Sequence, residues 1–425
     1  MKTLKNLSLY VFASFFNKGI NVLFLPILTT YLTPYDYGIA NLFSVSVLFT
    51  QYLLMFGTDT VLNVEYFKRD TIEYRQLFSK TIIICFLVVI LIGILSIFYK
   101  NYIDAFIGID SYWAFTIPFI AFGTHLIDSS LNLLRNKKKA VLYVAISIGK
   151  TLLELFLIIG FIILLGMQWE GRLWANFGTI AIIVTGILII LRRNHYIDFI
   201  PSFSDVKYIV LLGLPFVING FTTYVLTSAN RYFMTYLLNN SKEIIGLFSV
   251  ALSVGSLLLI MVNSLYTAVI PLLYERLRNH KEKEKDRTTI IFSYTLHLFV
   301  SLLFLYIGFP FFYKIFINDQ FNSGLNYVPF ILLGYFFWGI NVIIREILIF
   351  FDKKRSVFIN SILTIIFTII LNYYLINNYG LNGVLWSFVL SFGFIFFLNY
   401  ISMLKFYKLN FLIILSPMKI KKLLT

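Results

Sequence analysis

Apolar stretches of roughly 20 residues, separated by short polar segments, recur along the whole chain. A helix needs about 20 such residues to cross the hydrocarbon core of a bilayer, so the pattern predicts a polytopic membrane protein. We predict about twelve transmembrane helices, six in each half. They lie at about 8–33, 37–58, 76–98, 113–134, 141–165, 172–191, 207–230, 244–270, 288–312, 325–351, 356–377 and 381–404.

Composition supports lipid as the solvent of this chain. Only 13% of its 425 residues are charged and 59% are hydrophobic, whereas a soluble domain has about 25% charged residues. One cysteine, Cys85, excludes an intrachain disulfide and a thiolate metal cluster. The predicted fold class is therefore an all-α integral membrane protein.

The basic residues alternate with the predicted helices. The net charge is +15, and 27 of the 35 Lys and Arg residues fall in one set of alternate connections. The opposite connections hold only Lys100, Arg172, Lys242 and Lys314. This bias predicts that both termini are cytoplasmic. A surface for nucleic acid would not alternate with the helices, so no nucleic acid partner is expected.

Short sequences repeat between the two halves. Thr30–Leu32 recurs as Thr235–Leu237, and Leu42–Val45 recurs as Leu247–Val250, both at an offset of 205 residues. Six helices separate the copies, an even number, so the pattern predicts two six-helix bundles related as a parallel repeat. The predicted regions are an N-terminal lobe (1–205), a C-terminal lobe (206–406) and a basic cytoplasmic tail (407–425) lying on the anionic inner leaflet.

Several predicted helices carry polar residues on one face. Such a stripe cannot face lipid, so it either joins helices or borders a lumen, and both interpretations stay open. The stripes include Ser14, Asn17, Lys18 and Asn21 in helix 1; Ser44, Gln51 and Thr58 in helix 2; His125, Asp128, Ser129, Asn132 and Arg135 in helix 4; and Asn360, Thr364, Thr368 and Asn372 in helix 11.

Apart from residues already assigned to the connections, seven charged residues fall within predicted helices or at their ends: Lys18, Asp128, Lys150, Glu154, Arg231, Arg345 and Glu346. A charge at mid-membrane costs roughly 2.5–3.5 kcal/mol and usually marks a polar pathway. Lys150 and Glu154, four residues apart, could equally form a structural salt bridge, and Arg231 could instead extend to the outer surface. Arg345 and Glu346 are adjacent, so they are expected to point in different directions and not to neutralise each other.

The charged residues suggest a binding site rather than a catalytic one. We hypothesise a cationic cavity for an anionic headgroup, bordered by Lys18, Lys150, Arg231, Arg345, Asn17, Asn21 and Asn230. Asp128, Glu154 and Glu346 are candidate H+ or Na+ coupling sites. Gly149–Thr151 resembles the end of a phosphate-binding loop, but Val144 stands where that loop needs glycine. No cofactor, metal or catalytic residue is predicted, and transport would be driven by an ion gradient or by the gradient of the substrate.

Several motifs resemble the polysaccharide biosynthesis flippases. Lys18 and the LTPYDYG sequence of Leu32–Gly38 resemble the opening of that family, where the turn reads Leu-x-Pro-x-acidic-aromatic-Gly. The second-half pattern is matched by Leu214-Pro215, Asn230-Arg231, Gly246–Ser249 and Pro271 with Tyr274. The chain departs from the family at Asn230, where Asp is frequent, and at Phe248, where Tyr is common. Loss of that acid leaves Arg231 less neutralised.

The resemblance implies a member of the multidrug/oligosaccharidyl-lipid/polysaccharide exporter superfamily. Such a protein would move undecaprenyl-diphosphate-linked oligosaccharide from the inner to the outer face of a bacterial plasma membrane by alternating access. The implied partners are this anionic lipid-linked oligosaccharide, membrane lipids and a polysaccharide polymerase, and the protein is expected to be a monomer.

Four alternatives remain. A lipid II flippase usually has two further helices, and a drug or cation antiporter would favour an acidic cavity. A small-molecule carrier of another fold would make the motif match coincidental. A membrane glycosyltransferase or polymerase could use Asp36 as its carboxylate, although Pro34, Asp36 and Gly38 are typical turn residues. We expect a transporter rather than an enzyme.

Overall fold

The computed structural model describes residues 2–98, 109, 111–239, 241–278 and 284–406. These residues are almost entirely helical and contain no strand. Nine helical segments among them are long and apolar enough to cross a membrane. The predicted all-α membrane class is therefore confirmed, whereas the count of twelve crossings and the cytoplasmic termini stay predictions. The predicted tail, 407–425, lies outside the described residues.

The helices up to residue 193 correspond to the first six predicted spans, with short additional helices between them. Their bounds are α1 (Lys2–Leu23), α2 (Leu25–Tyr31), α3 (Pro34–Met55), α4 (Thr58–Glu65), α5 (Thr71–Phe98), α6 (Ser111–Asn136), α7 (Ala140–Ile158) and α8 (Gln168–Arg193). A π-helical turn, Ile159–Leu164, extends α7.

The remaining helices are α9 (Phe203–Ser228), α10 (Asn230–Leu237), α11 (Ser241–Gly255), α12 (Leu257–Arg278), α13 (Glu284–Phe316), α14 (Val328–Phe350) and α15 (Lys354–Leu404). A 3-10 helix, Asp319–Tyr327, precedes α14. Within α15, Gly380 has φ 56° and ψ −129°, which interrupts the helix between the eleventh and twelfth predicted spans. The turn is tight, since a Cβ on Gly383 would lie 2.0 Å from the carbonyl oxygen of Leu375.

The LTPYDYG motif forms the start of α3. Thr33 is the N-cap, and its hydroxyl accepts a hydrogen bond from the backbone N–H of Asp36 at 3.2 Å. The Asp36 carboxylate accepts one from the backbone N–H of Thr33 at 3.1 Å, which completes a capping box. Pro34 occupies the first helical position, where its missing N–H costs nothing. Asp36 is thus a buried capping residue.

The described part of the chain divides into two compact units. The first unit is drawn from Met1–Tyr224 and Arg231–Ser249, and the second from Val225–Asn230 and Val250–Thr425. In the first unit α6 packs against α3, α5 and α8, and in the second α14 packs along α15. The proposed lobe boundary at residues 205 and 206 stays a prediction.

Large apolar side chains point outward along two helices. Leu87 and Leu91 on α5 are 55% exposed, and Phe304 and Ile307 on α13 are 72% and 65% exposed. Removing each of these side chains from water would be favourable by roughly 1.5–3 kcal/mol of transfer free energy, so their contact with water would be unfavourable. Lipid contact explains why the chain leaves them uncovered.

Candidate functional site

The helix break between α3 and α4 places Asp59 next to α6. Phe56 and Gly57 have φ values of 40° and 71°, which end α3 and allow α4 to begin in a new direction. The Ser129 hydroxyl on α6 donates a hydrogen bond to Asp59 Oδ1 at 2.8 Å. His125 Nδ1 lies 3.5 Å from the same oxygen, and the His125 side chain is fully buried.

Asp128 lies beside this pair on α6. Its Oδ2 accepts a hydrogen bond from Gln51 Nε2 of α3 at 3.0 Å, and its carboxylate interacts electrostatically with Asp59 and with Lys150 of α7. We define the polar cluster as Gln51, Asp59, His125, Asp128 and Ser129. Two half-buried carboxylates and a fully buried imidazole can share a proton. The cluster contains one predicted coupling residue, Asp128.

Asn17 connects α1 to α7 on either side of Lys150. Its side-chain N–H donates to the Ser147 hydroxyl at 2.7 Å, and the Thr151 hydroxyl donates to Asn17 Oδ1 at 3.0 Å. This part of the helix 1 stripe therefore joins helices. Lys18 and Asn21 are also on α1, but their side chains lie outside the described ones. Their substrate contacts stay predictions.

The alternative of a salt bridge between Lys150 and Glu154 is wrong. Within the described residues these two side chains form no ion pair of 4 Å or less, and Glu154 Oε1 accepts a hydrogen bond from Asn176 Nδ2 of α8 at 3.4 Å. Lys150 on α7 instead interacts electrostatically with Asp128 on the neighbouring helix α6. Helical spacing allowed the intrahelical pair, but contacts with other helices determined the partners.

Arg231 is buried at the start of α10. Its side chain is 6% exposed, and its guanidinium carbon lies 5.6 Å from the centre of the Phe248 ring. The alternative in which this arginine extends to the outer surface is therefore wrong. Asn230, also a predicted binding residue, is buried as well. The Phe248 ring provides an aromatic face for the Arg231 guanidinium.

Arg345 and Glu346 form an ion pair, contrary to our expectation. Arg345 Nη2 lies 3.2 Å from Glu346 Oε1, and the Tyr274 hydroxyl donates to Glu346 Oε2 at 2.6 Å. The directions of adjacent side chains do differ, but the long arginine side chain can turn back to its neighbour. Arg345 in the second unit is consequently compensated by a carboxylate.

The polar stripe of helix 11 joins the two segments of α15 to α14. Asn360 Nδ2 donates to Asn399 Oδ1 at 2.8 Å, and Asn399 Nδ2 donates to Asn341 Oδ1 at 2.7 Å. The Ser387 hydroxyl donates to Asn372 Oδ1 at 2.9 Å. These side chains are buried, so this stripe packs helices together rather than bordering a lumen.

Asp59 is a residue of the polar cluster that the sequence pattern did not indicate. It lies just beyond the end predicted for helix 2, where nothing in the helical spacing relates it to Asp128. Phe56-Gly57 was the available signal, because a glycine there permits a turn that redirects the next residues. A Cβ on Gly213 would lie 1.8 Å from the Phe56 carbonyl oxygen, so α9 packs tightly against this turn.

Comparisons with known proteins agree on family and fold. The family model described as polysaccharide biosynthesis protein matches residues 3–277. No curated protein sequence matches the chain. Among solved structures, the chain is similar to the lipid II flippase MurJ in an inward closed conformation, with a TM-score of 0.71 and 18% identity over 92% of this chain and 86% of that one.

A multidrug resistance MATE family transporter of the MOP superfamily is also similar. In its inward-facing conformation the TM-score is 0.66 at 15% identity, over 91% of this chain and 93% of that one. In an outward-facing conformation of such a transporter it is 0.57 at 15% identity, over 94% of both chains. At these identities the likeness establishes a common fold.

Proposed function

We propose, because the chain belongs to the family of polysaccharide biosynthesis proteins, that it translocates undecaprenyl-diphosphate-linked oligosaccharide. Translocation would run from the cytoplasmic to the outer face of a bacterial plasma membrane. The observation that carries the proposal is that the family match, residues 3–277, includes Lys150 on α7, a helix apolar enough to cross a membrane, and buried Arg231 on α10. Lys18 lies on α1 within the same match. A cation inside a membrane-spanning helix is costly unless it meets an anion or water.

The chemistry of the substrate accounts for these features. A diphosphate and its sugars cannot cross hydrocarbon unaided, because each unpaired polar group there costs several kcal/mol. Lys150 and buried Arg231 can pair with the diphosphate while the prenyl chain remains in lipid. Arg345 is the weaker candidate among the predicted cations, since Glu346 already compensates it.

Alternating access is the proposed transport cycle. Twelve crossings in two lobes, with both termini in the cytoplasm, would expose the bound headgroup first inward and then outward. Asp128 in the polar cluster is the proposed coupling residue, with a proton as the coupling ion because His125 and Asp59 lie beside it. The proposal includes that the protein acts as a monomer and that a polysaccharide polymerase is its partner.

Purified protein in proteoliposomes tests the proposal directly. Fluorescent undecaprenyl-diphosphate oligosaccharide is placed in one leaflet, and its arrival in the other is measured with a membrane-impermeant quencher. We expect Lys150→Gln to reduce the rate about 10- to 100-fold, the effect of losing one hydrogen bond to a charged group. Lys150→Arg should retain most of the rate. Lys314→Gln, at an exposed lysine near the end of α13, is the matched control and should have no effect.

Two further substrates distinguish the alternatives. Lipid II moved in preference to the oligosaccharide lipid would make the protein a lipid II flippase. Efflux of cationic drugs with neither lipid moved would make it a drug antiporter. In cells, deletion should cause lipid-linked oligosaccharide to accumulate at the inner face, and an unchanged distribution would contradict the proposal.

A further inference from the structure

A cleft lies at the basic end of the first unit, where α6 ends, α7 begins and α8 ends. It is a narrow cleft between the three helices that opens to the surface. All of its lining residues belong to the first unit. None of the predicted substrate-binding or coupling residues lines it. A ligand of this cleft would therefore bind apart from the proposed cargo site.

The walls of the cleft are aliphatic. Leu142 and Ile146 of α7 face Ile187 and Ile190 of α8, and Leu134 of α6 contributes the third side. Leu142 and Ile190 are 37% and 42% exposed, so the cleft is open rather than sealed. Walls of this kind bind a hydrocarbon chain, because burial removes apolar surface of both partners from water.

One end of the cleft is cationic. Lys137 and Lys139 line it together with Asn194, and no acidic residue is among the described lining residues. The Lys137 ammonium lies 4.4 Å from the centre of the buried Tyr196 ring, which positions it at the cleft. Two ammonium groups without a carboxylate favour an anionic group over a cationic or neutral one.

Ser130 places a second kind of polar group in the cleft. Its side chain lines the space and is only 5% exposed. Its hydroxyl has no hydrogen-bond partner among the described residues. A buried hydroxyl without a partner costs about 1–3 kcal/mol, so an occupant with an acceptor atom would be stabilised there.

We propose that this cleft binds an anionic phospholipid of the inner leaflet. Lys137 and Lys139 bind its phosphate, the aliphatic walls hold an acyl chain, and Ser130 donates to an ester carbonyl oxygen of the same lipid. The positive-inside pattern assigns this end of the unit to the cytoplasmic side, where anionic lipids meet basic pockets between helices. The site is independent of the proposed cargo, since a bilayer lipid resident beside α6, α7 and α8 is not translocated.

Native mass spectrometry of the detergent-purified full chain tests the proposal, with phosphatidylglycerol and phosphatidylcholine as probes. The wild type should retain phosphatidylglycerol in preference. Lys137→Gln/Lys139→Gln should weaken its apparent affinity about 30-fold, from roughly fivefold for each lysine near an anionic lipid. Lys354→Gln removes an exposed basic residue of the second unit and should leave the affinity unchanged.

A steric pair of variants tests the acyl chain. Leu142→Trp should fill the cleft and abolish phosphatidylglycerol retention, whereas Val141→Trp, at a neighbouring 75% exposed position outside the lining, should not. Melting temperatures in lipid-free detergent show whether each variant is folded. If Leu142→Trp unfolds, Ile190→Trp with Ile189→Trp as its control replaces the pair.

Three results would overturn the proposal. The first is equal retention of the two phospholipids by the wild type. The second is unchanged phosphatidylglycerol retention in both the lysine variant and the folded tryptophan variant. The third is displacement of phosphatidylglycerol from the cleft by equimolar undecaprenyl phosphate, which would assign the site to the carrier lipid of the cargo.

Discussion

Gly38 and Gly246 bring α3 and α11 into direct backbone contact within the first unit. A Cβ on Gly38 would lie 1.8 Å from the carbonyl oxygen of Lys242, and one on Gly246 would lie 1.9 Å from that of Pro34. The contact is reciprocal, because each glycine meets the carbonyl four residues before the other. Only residues without a Cβ permit this approach. Both glycines belong to the motifs that resemble the family, which gives those motifs a role in helix contact.

The contact between α3 and α11 can be tested by cross-linking. Lys242 Nζ lies 3.4 Å from the Tyr35 hydroxyl. These atoms are the ends of two long side chains, so Tyr35→Cys/Lys242→Cys in a Cys85→Ser background should be joined by a bifunctional methanethiosulfonate reagent whose spacer spans the gap. If the two helices separate during transport, the cross-link should abolish transport and a reductant should restore it. The single variants are the controls. Full transport by the cross-linked double variant would show that this contact persists throughout the cycle.

Asp128 should couple transport to an ion gradient. Asp128→Asn removes the ionisable group but keeps an acceptor for Gln51, so the polar cluster should stay folded. We expect gradient-driven flipping to fall about tenfold or more while exchange at equilibrium continues. Rates are measured in proteoliposomes with a pH gradient and, separately, with a Na+ gradient. Glu170→Gln, at an exposed acid on α8, is the control. An unchanged response to both gradients would remove Asp128 from the coupling role.

The pair of Arg345 and Glu346 should stabilise the second unit. Glu346→Gln leaves the guanidinium without its carboxylate, and we expect the free energy of unfolding to fall by about 1–3 kcal/mol. This is less than the 3–5 kcal/mol of a fully buried pair, because the Arg345 side chain is 32% exposed. Unfolding is followed in detergent by intrinsic fluorescence. Arg345→Met/Glu346→Leu should recover most of the loss; if it does not, the pair interaction is not the cause.

Asn399 should be important for packing rather than for transport. Asn399→Leu leaves Asn341 and Asn360 without their shared partner, and it should cost about 1–2 kcal/mol of stability. Thermal unfolding in detergent measures the loss. The exposed Asn378 is the control, since Asn378→Leu removes only a bond to a backbone carbonyl on the same helix. A variant with wild-type stability but no transport would instead place Asn399 on the transport path.

Acid should weaken the start of α9. Hydrogen bonds from Ser202, followed by Lys80 at 3.0 Å, lower the pKa of Asp205 to about 2. A lowered pKa in the folded state means that its contribution to stability is complete above pH of about 4 and is lost as pH falls toward 2. Melting temperatures between pH 6 and 3 should therefore drop more steeply for the wild type than for Asp205→Asn. Parallel pH curves would contradict this assignment.

The locations of helices were predictable from sequence, but the partners of polar residues were not. Apolar runs predicted helices 11 and 12 as separate segments, and the non-helical backbone of Gly380 separates them in the structure. The same sequence could not relate Asp59 to Ser129, which is 70 residues away. It also led to a wrong expectation for Arg345 with Glu346, and it left open a surface position for Arg231 that the burial of its side chain excludes. Each of these depends on side-chain reach and on which helices pack together.

The sequence by itself determined that this chain is helical, lies in a membrane and belongs to a family of polysaccharide biosynthesis proteins. It could do so because hydrocarbon satisfies no backbone hydrogen bonds, so an apolar run of sufficient length must form a helix. Tertiary structure alone decided that Asp128 meets Gln51, that Glu346 holds Arg345 and that Asn399 joins two other asparagines. Helical periodicity sets the direction of a side chain from its own axis, whereas its partner depends on the packing of a second helix distant in sequence.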